Sequence, residues 1–319
     1  MGYRGLGRRP LNWGLFTYRK SNPLPGFEQC GVATAPVWRA ASPHFTPLLH
    51  PKAGLEPLLS DDTVLLRRNG SIAWITLNRP ANNNSIDLDL AFRFRDLVLQ
   101  LEADPTCDVV MIAANGRTFC MGGDLTAMAE SDDVSGLLTQ LAEAMNVALL
   151  TLSNSRMVVV AVVNGIAAGG GLGIVLNADL AIAGSRAAFL TAYSAIGLTP
   201  DCGVSYLLPQ IAGLPRAMEM SLTGRTLRAN EAFEWNLVSE VVANDDLMAR
   251  AEILSERLAQ GAARALGETK RLLRGDTSGY ADHLRDEVRT IAAMGADAAT
   301  QVLIAGRAPR GAPRPQAAA

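Results

Sequence analysis

Phe119-Cys120-Met121-Gly122-Gly123-Asp124-Leu125 and Asn164-Gly165-Ile166-Ala167-Ala168-Gly169-Gly170-Gly171-Leu172-Gly173 are the two stretches that decide the fold. Each follows a short apolar run, Val109-Val110-Met111-Ile112-Ala113 or Val158-Val159-Val160-Ala161-Val162-Val163, that predicts a buried strand. Each also precedes a segment compatible with a helix. A strand that turns into a helix through glycines leaves backbone N–H groups unpaired. Two such turns can direct one N–H each at a single carbonyl oxygen, which predicts an oxyanion hole for a thioester or an ester.

Composition and charge limit the class of protein. The chain has 319 residues, 49% of them hydrophobic and 19% charged, which is enough for a packed core. Its net charge of −2 and its pI near 6.0 indicate neither a nucleic-acid partner nor an anionic membrane surface. No uninterrupted apolar run reaches the roughly 18 residues of a membrane span, so no membrane association is expected.

Cysteine and histidine usage argues against several kinds of site. The four cysteines, Cys30, Cys107, Cys120 and Cys202, have no CxxC spacing, which predicts reduced thiols and no structural zinc. The histidines are His44, His50 and His283, and none follows or precedes a glycine stretch directly. A histidine-dependent nucleophile and a metal site are therefore not expected. A dinucleotide site is not expected either, because Ile174 stands where the G-x-G-x-x-G pattern requires glycine.

The two ends of the chain differ from its middle. Residues 1–60 hold half of the 16 prolines and show no sustained period of 3.6 or 2, which predicts a poorly ordered N-terminal extension. Glu28 is the first acidic residue, and every charged residue before it is basic, so two interpretations of the N-terminal extension stay open. The protein is cytoplasmic with a functionless extension, or it is mitochondrial with a transit peptide in residues 1–30. Residues 306–319 predict a disordered tail.

Between these ends the pattern is α/β. Thr63 to Arg67 and Ile72 to Leu77 predict a hairpin around Asn69-Gly70. Ser85 is predicted to cap a helix that carries Asp87 and Asp89 in its first turn.

Further amphipathic segments complete the organisation. Val134 to Leu152 and Leu172 to Asn177 predict helices, and the pattern is mainly helical from Leu214 onward. Repeated strand–strand–helix units predict an α/β core with stacked sheets in residues 61–260, followed by a C-terminal helical region in residues 261–305.

The order and spacing of several stretches resemble the crotonase (enoyl-CoA hydratase/isomerase) superfamily. Besides the two glycine stretches, the matching segments are Ile75-Thr76-Leu77-Asn78-Arg79-Pro80, Gly197-Leu198-Thr199-Pro200-Asp201, Glu231-Ala232 and Trp235-Asn236-Leu237-Val238. The resemblance covers residues 61 to about 275 and implies a crotonase-like ββα spiral core. It also implies a homotrimer or dimer of trimers, with residues 261–305 as the trimerisation region. The implied substrate is an acyl-CoA thioester, so coenzyme A is part of the substrate and no separate cofactor is expected.

The resemblance also assigns site residues. The oxyanion donors fall on the N–H groups of Gly123 and Gly170. Substrate contacts are implied for a loop and for segments near the glycine turns, namely Arg79, Ala81, Asn82, Asn84, Met121, Gly122, Asp124, Leu125, Gly169 and Tyr193. Two of these have simpler alternatives, since Asp124 is suited to cap the next helix and Tyr193 to form a pocket wall.

Departures from the family pattern bear on the chemistry. Hydratases of the family use two glutamates, and this chain has Gly173 and Tyr193 at the corresponding positions. Asp201 stands where several crotonase-fold isomerases and aryl-CoA dehalogenases carry a catalytic aspartate. The dehalogenases also need a histidine, and spacing places Asn146 there. Cys120 and Cys202 are expected to be small apolar fillers.

These residues favour an enoyl-CoA isomerase with Asp201 as the general acid/base and the enolate held in the oxyanion hole. A hydratase that uses another carboxylate stays open as an alternative. So does a non-catalytic acyl-CoA-binding protein, in which Asp201 merely caps the following helix.

Overall fold

A computed structural model describes residues 62–309. The predicted N-terminal extension and the end of the predicted tail lie outside the described residues. The strands of the described part are β1 (Val64–Asn69), β2 (Ile72–Leu77), β3 (Val109–Ala114), β4 (Val158–Val163), β5 (Ile166–Ala168), β6 (Leu180–Gly184), β7 (Ala188–Leu190), β8 (Leu227–Arg228) and β9 (Glu240–Val242).

Helices follow most of these strands. They are α1 (Leu88–Ala103), α2 (Leu125–Glu130), α3 (Val134–Asn154), α4 (Gly170–Asn177), α5 (Val204–Ala212), α6 (Leu214–Thr223), α7 (Ala229–Glu234), α8 (Leu247–Ala259), α9 (Ala263–Arg274), α10 (Ser278–Gly295) and α11 (Ala298–Arg307).

The strands form two sheets. The larger sheet has the order β1-β2-β3-β4-β6-β9, with β1 and β2 antiparallel and every later pair parallel. The smaller sheet has the order β5-β7-β8. The predicted hairpin is confirmed, with Val64 opposite Leu77 and Asn69 opposite Ile72. The predicted α/β core with stacked sheets and a C-terminal helical region is likewise what the chain forms.

Burial on both faces explains why the central strands are continuously apolar. In β4, Val159, Ala161 and Val163 belong to the main core with α1, α3 and α4. The alternate residues Val158 and Val160 pack instead with side chains of α8. A strand between two helical layers therefore needs apolar residues at consecutive positions, because successive side chains point to opposite faces.

Helix α3 lies in the core against α1 and α10. By length and composition it is the one helix in residues 62–309 that would suffice to cross a membrane, but half of its most apolar stretch is buried within the molecule. Its hydropathy therefore reflects its position in the core, as for the central helix of many water-soluble domains.

Three predicted boundaries are wrong. Asp87, not Ser85, caps α1, because Ile86 is held in an extended bridge by hydrogen bonds with Gly122 and Asp124. The helix after the second glycine turn begins at Gly170 instead of Leu172. The last helix, α11, continues to Arg307, so the predicted tail starts two residues too early.

Candidate active site

The two glycine turns lie side by side. The Cys120 N–H donates to the Ile166 carbonyl over 3.0 Å, and the Ala168 N–H donates to the Cys120 carbonyl over 2.9 Å. Gly122 of the first turn has a φ of 86°, and a Cβ there would be 2.9 Å from the Ala168 carbonyl oxygen of the second turn. Only glycine allows the two turns to approach this closely.

Gly123 and Gly170 both line one cavity of about 600 Å³. Within residues 62–309, neither the Gly123 N–H nor the Gly170 N–H donates a hydrogen bond. Gly170 is also the first residue of α4, where unpaired N–H groups carry partial positive charge. Two free donors at one cavity are the arrangement that an oxyanion requires.

Most of the site residues predicted from the sequence line this cavity. They are Ala81, Asn82, Met121, Gly122, Gly123, Asp124, Leu125, Gly169, Gly170, Tyr193 and Asp201. One wall of the cavity is apolar and was not predicted from the sequence; it consists of Met128, Leu138, Leu141, Met145 and Ile291. These side chains lie on the buried faces of α2, α3 and α10, where apolar residues normally indicate only a core.

Arg79 does not line the cavity. Its guanidinium lies 2.8 Å from Asp87 and 3.1 Å from Asp124, and it donates to the Ser85 carbonyl. Two carboxylates thus pair with this guanidinium in the described structure, and its contact with the substrate stays a prediction. Arg79 joins the loop after β2 to the start of α2.

Asn84 and Asp124 also have structural partners. Asn84 is fully buried, and its amide donates to the carbonyls of Asn115 and Thr118, while its predicted contact with the substrate stays a prediction. Asp124 touches the cavity, but one carboxylate oxygen accepts from the N–H groups of Thr126 and Ala127. Its interpretation as the cap of the next helix is therefore confirmed.

Asp201 receives a hydrogen bond from a neighbouring tyrosine. The Tyr193 hydroxyl donates to Asp201 Oδ1 over 2.7 Å. Burial raises the pKa of the Asp201 carboxyl, an effect that the Tyr193 hydrogen bond opposes. Burial and the charge of Asp201 raise the pKa of Tyr193 as well, so its hydroxyl stays protonated. The alternative of Asp201 as a helix cap is wrong, because the residue at the cap position of α5 is Gly203.

The position of Gly173 matters for the same loop. A Cβ on Gly173 would lie 2.5 Å from Cys202 Cβ and 2.8 Å from the Cys202 carbonyl oxygen. The residue after Asp201 therefore fills the space that any side chain at 173 would need.

The cysteines near the site are buried and protonated. Burial raises the pKa of Cys120 to about 12 and that of Cys202 well above its ordinary value. Neither thiol is suited to act as a nucleophile. Within the described residues, no group of three or more His, Cys, Asp or Glu side chains is placed to hold a metal ion.

Residues 67–294 match the family model described as enoyl-CoA hydratase/isomerase. The chain therefore belongs to the enoyl-CoA hydratase/isomerase family, the crotonase superfamily, and is an acyl-CoA enzyme of that family.

Individual relatives differ in their reactions. The chain is 34% identical to 1,2-epoxyphenylacetyl-CoA isomerase of Escherichia coli (strain K12) over 63% of this chain and 78% of the relative. It is 30% identical to 4-chlorobenzoyl coenzyme A dehalogenase-2 of Arthrobacter sp, over 73% of this chain and 86% of the relative. Among solved structures, an enoyl-CoA hydratase from Mycobacterium avium subsp. paratuberculosis K-10 superposes with a TM-score of 0.71 at 28% identity, covering 77% of this chain and 99% of that chain.

Proposed function

We propose that the protein is an enoyl-CoA isomerase, which shifts a double bond along the acyl chain of an enoyl-CoA thioester. The observation that carries this proposal is the set of hydrogen bonds and ion pairs made by the carboxylates that line the cavity. Within residues 62–309, two carboxylates line the cavity, Asp124 and Asp201. The Asp124 carboxylate caps α2 and forms an ion pair with Arg79, whereas no Lys or Arg of the described chain pairs with Asp201. Asp201 is therefore the group available for proton transfer.

The proposed reaction needs only one carboxylate and two N–H donors. The Asp201 carboxylate removes a proton from C2 of a 3-enoyl thioester, and the electrons move toward the thioester oxygen. The N–H groups of Gly123 and Gly170 stabilise the negative charge of this dienolate. Asp201 then returns the proton to C4, which leaves the double bond between C2 and C3. The raised pKa of Asp201 makes it a stronger base than an exposed carboxylate.

The other reactions of the family fit these residues less well. At the two hydratase glutamate positions, Gly173 has no carboxylate and Tyr193 donates to Asp201. At the dehalogenase histidine position, Asn146 is buried, donates to the Leu284 carbonyl and is not among the residues that line the cavity.

The proposal extends to substrate and assembly. Coenzyme A is carried by the substrate, and no separate cofactor takes part. Copies of the chain form a homotrimer or a dimer of trimers, as the resemblance implies. An exposed apolar stripe on α6 supports an assembly. It consists of Leu214, Met218 and Leu222, whose exposed fractions are 56%, 50% and 74%. Light scattering on the purified protein measures the number of copies.

The decisive experiment compares the wild type with Asp201→Asn. Asn is nearly isosteric with Asp but does not accept or return a proton at neutral pH. We expect isomerisation of a 3-enoyl-CoA to fall by roughly 100- to 10,000-fold, the range typical of a lost general base. Binding of the acyl-CoA measured by calorimetry should persist. Asp245→Asn, at an exposed carboxylate outside the residues that line the cavity, is the matched control and should keep full activity.

The substrates separate the alternatives. The wild type is incubated with a 3-enoyl-CoA and with a 2-enoyl-CoA, and the products are resolved by chromatography. Hydroxyacyl-CoA as the main product would establish a hydratase instead. Acyl-CoA binding without isomerisation, hydration or exchange of substrate protons with deuterated solvent would establish a binding protein.

A further inference from the structure

The loop that carries Asp201 has an unusual backbone. Cys202 has a φ of 55° and Gly203 a φ of 78°, so two consecutive residues adopt the left-handed conformation. This conformation is unfavourable for a residue with a Cβ such as Cys202, and it persists only where surrounding contacts hold it. Gly203 also occupies the cap position directly before α5, and it has no side chain that could cap the helix. The contacts that hold this loop must therefore come from elsewhere in the chain.

Glu287 of α10 supplies the missing cap. One carboxylate oxygen accepts from the Gly203 N–H over 2.8 Å. The other accepts from the Ser205 N–H over 3.1 Å and from the Ser205 hydroxyl. Glu287 is only 5% exposed. A carboxylate at this point satisfies the first N–H groups of α5 and favourably meets the positive end of the helix.

Tyr280 lies on the same buried face of α10, two turns earlier. Its hydroxyl donates to Asn177 Oδ1 over 2.6 Å, and Asn177 Nδ2 donates to the Cys202 carbonyl over 3.1 Å. The Cys202 carbonyl and the Gly203 N–H belong to one peptide group. Helix α10 thus holds both ends of the Cys202–Gly203 peptide, one residue beyond Asp201, one end through Asn177 and the other through Glu287.

We propose that Glu287, together with Tyr280, positions the catalytic carboxylate, so that the C-terminal helix α10 sets the geometry of proton transfer. This inference rests on the proposed role of Asp201. Neither side chain lines the cavity, so both act through the Cys202–Gly203 peptide and not on the substrate.

The surroundings of Glu287 link its charge to Asp201. Within residues 62–309, no Lys or Arg forms an ion pair with it, and its Oε1 lies 3.9 Å from His283 Nε2. Burial raises the pKa of Glu287 to about 7, and the charge of Asp201 adds to this effect. The titratable groups around Glu287 are His283, Tyr280, Cys202, Tyr193 and Asp201. As pH rises, Asp201 therefore ionises before Glu287, and its charge opposes the ionisation of Glu287.

The test is the variant Glu287→Gln. A glutamine has the same size, but its amide turns an N–H toward Gly203 or Ser205, where only an acceptor fits. We expect kcat for isomerisation to fall about tenfold or more, since small displacements of a reacting group are costly, while KM changes less than about threefold. The acid limb of the kcat profile should stay in place, because the pKa of Glu287 is about 7 and its carboxyl is already neutral where Asp201 ionises.

Two further variants complete the design. Tyr280→Phe removes the hydroxyl that orients Asn177 without changing a charge, so kcat should fall while the acid limb stays in place. Asp286→Asn, at an exposed carboxylate on the same helix, is the control and should behave as the wild type. If Glu287→Gln does not fold, Tyr280→Phe decides, and an unchanged kcat in that variant overturns the proposal.

The outcomes separate this inference from the proposed function. If Asp201→Asn is inactive while Glu287→Gln keeps the kcat and acid limb of the wild type, the positioning role is wrong and the isomerase assignment stands. An active Asp201→Asn refutes the proposed function itself. A Glu287→Gln variant whose acid limb moves would contradict the order in which the two carboxyls ionise, and a KM that rises in proportion to the loss of kcat overturns the positioning role.

Discussion

Replacing Gly173 with alanine tests how closely α4 and the Asp201 loop approach each other. The added Cβ would lie 2.5 Å from Cys202 Cβ and 2.8 Å from the Cys202 carbonyl oxygen. Both distances are well inside van der Waals contact, and the oxygen belongs to the peptide that Asn177 holds. The loop must therefore shift, and with it the carboxylate of Asp201.

The expected magnitude combines two opposing effects. Overpacking of a close-packed interior typically costs about 1–3 kcal/mol. Alanine in a helix recovers about 1 kcal/mol of the intrinsic cost of glycine. We expect Gly173→Ala to lose up to about 2 kcal/mol in the free energy of unfolding. A displacement near 1 Å at the reacting group should lower kcat by up to about a hundredfold.

Chemical denaturation, steady-state kinetics and calorimetric binding of acyl-CoA measure these three effects separately. Gly306→Ala is the matched control, because Gly306 is also helical but a Cβ there meets nothing within 4 Å. The control should be neutral or slightly stabilising. A Gly173→Ala variant with wild-type stability and kcat would refute the steric argument. Gly173→Glu restores a hydratase carboxylate and should nevertheless not gain hydratase activity.

Two more predictions follow from the site. Proline at Gly123 or at Gly170 removes one N–H donor, and turnover should fall by about a hundredfold or more, on the order of 3 kcal/mol. Circular dichroism and molecular size verify folding, and a well-folded variant with normal turnover would contradict the assignment of that donor. Glu287 has a folded pKa of about 7 against an ordinary value of 4.5, so its contribution to stability is complete at low pH and is lost as pH rises through this range. Relative to Glu287→Gln, the wild type should lose up to about 3 kcal/mol of unfolding free energy between about pH 4 and pH 8, and a parallel pH dependence of the two proteins would be inconsistent with this shift.

Local sequence determined the glycine turns and most of the elements around them. The apolar runs before each turn had to be strands buried on both faces, and the glycines had to follow because the turns approach too closely for a Cβ at Gly122. Asp124 was identifiable as a cap, since a helix start needs an acceptor within two or three residues. These features depend on neighbours along the chain, and the sequence displays such neighbours directly.

Tertiary structure decided which side chains reach the cavity. The sequence does not show the partners of Arg79, which forms ion pairs with Asp87 and Asp124 once the loop after β2 meets the start of α2. Ser85 was predicted to cap α1, but the bridge between Ile86 and the first glycine turn keeps the backbone extended directly after Ser85. In each case the deciding partner comes from another part of the chain, brought near by folding.

Contacts between residues that lie far apart in the sequence had the largest effect on the site. Glu287 reaches the loop of Asp201 from a helix 84 residues beyond Gly203, and nothing in its local pattern distinguishes it from a surface glutamate. The sequence alone established the family, the two donors and the carboxylate Asp201 as candidates, because these depend on short contiguous motifs. Only the folded chain shows what holds that carboxylate in place, because burial and hydrogen bonding between distant segments arise when the helices pack.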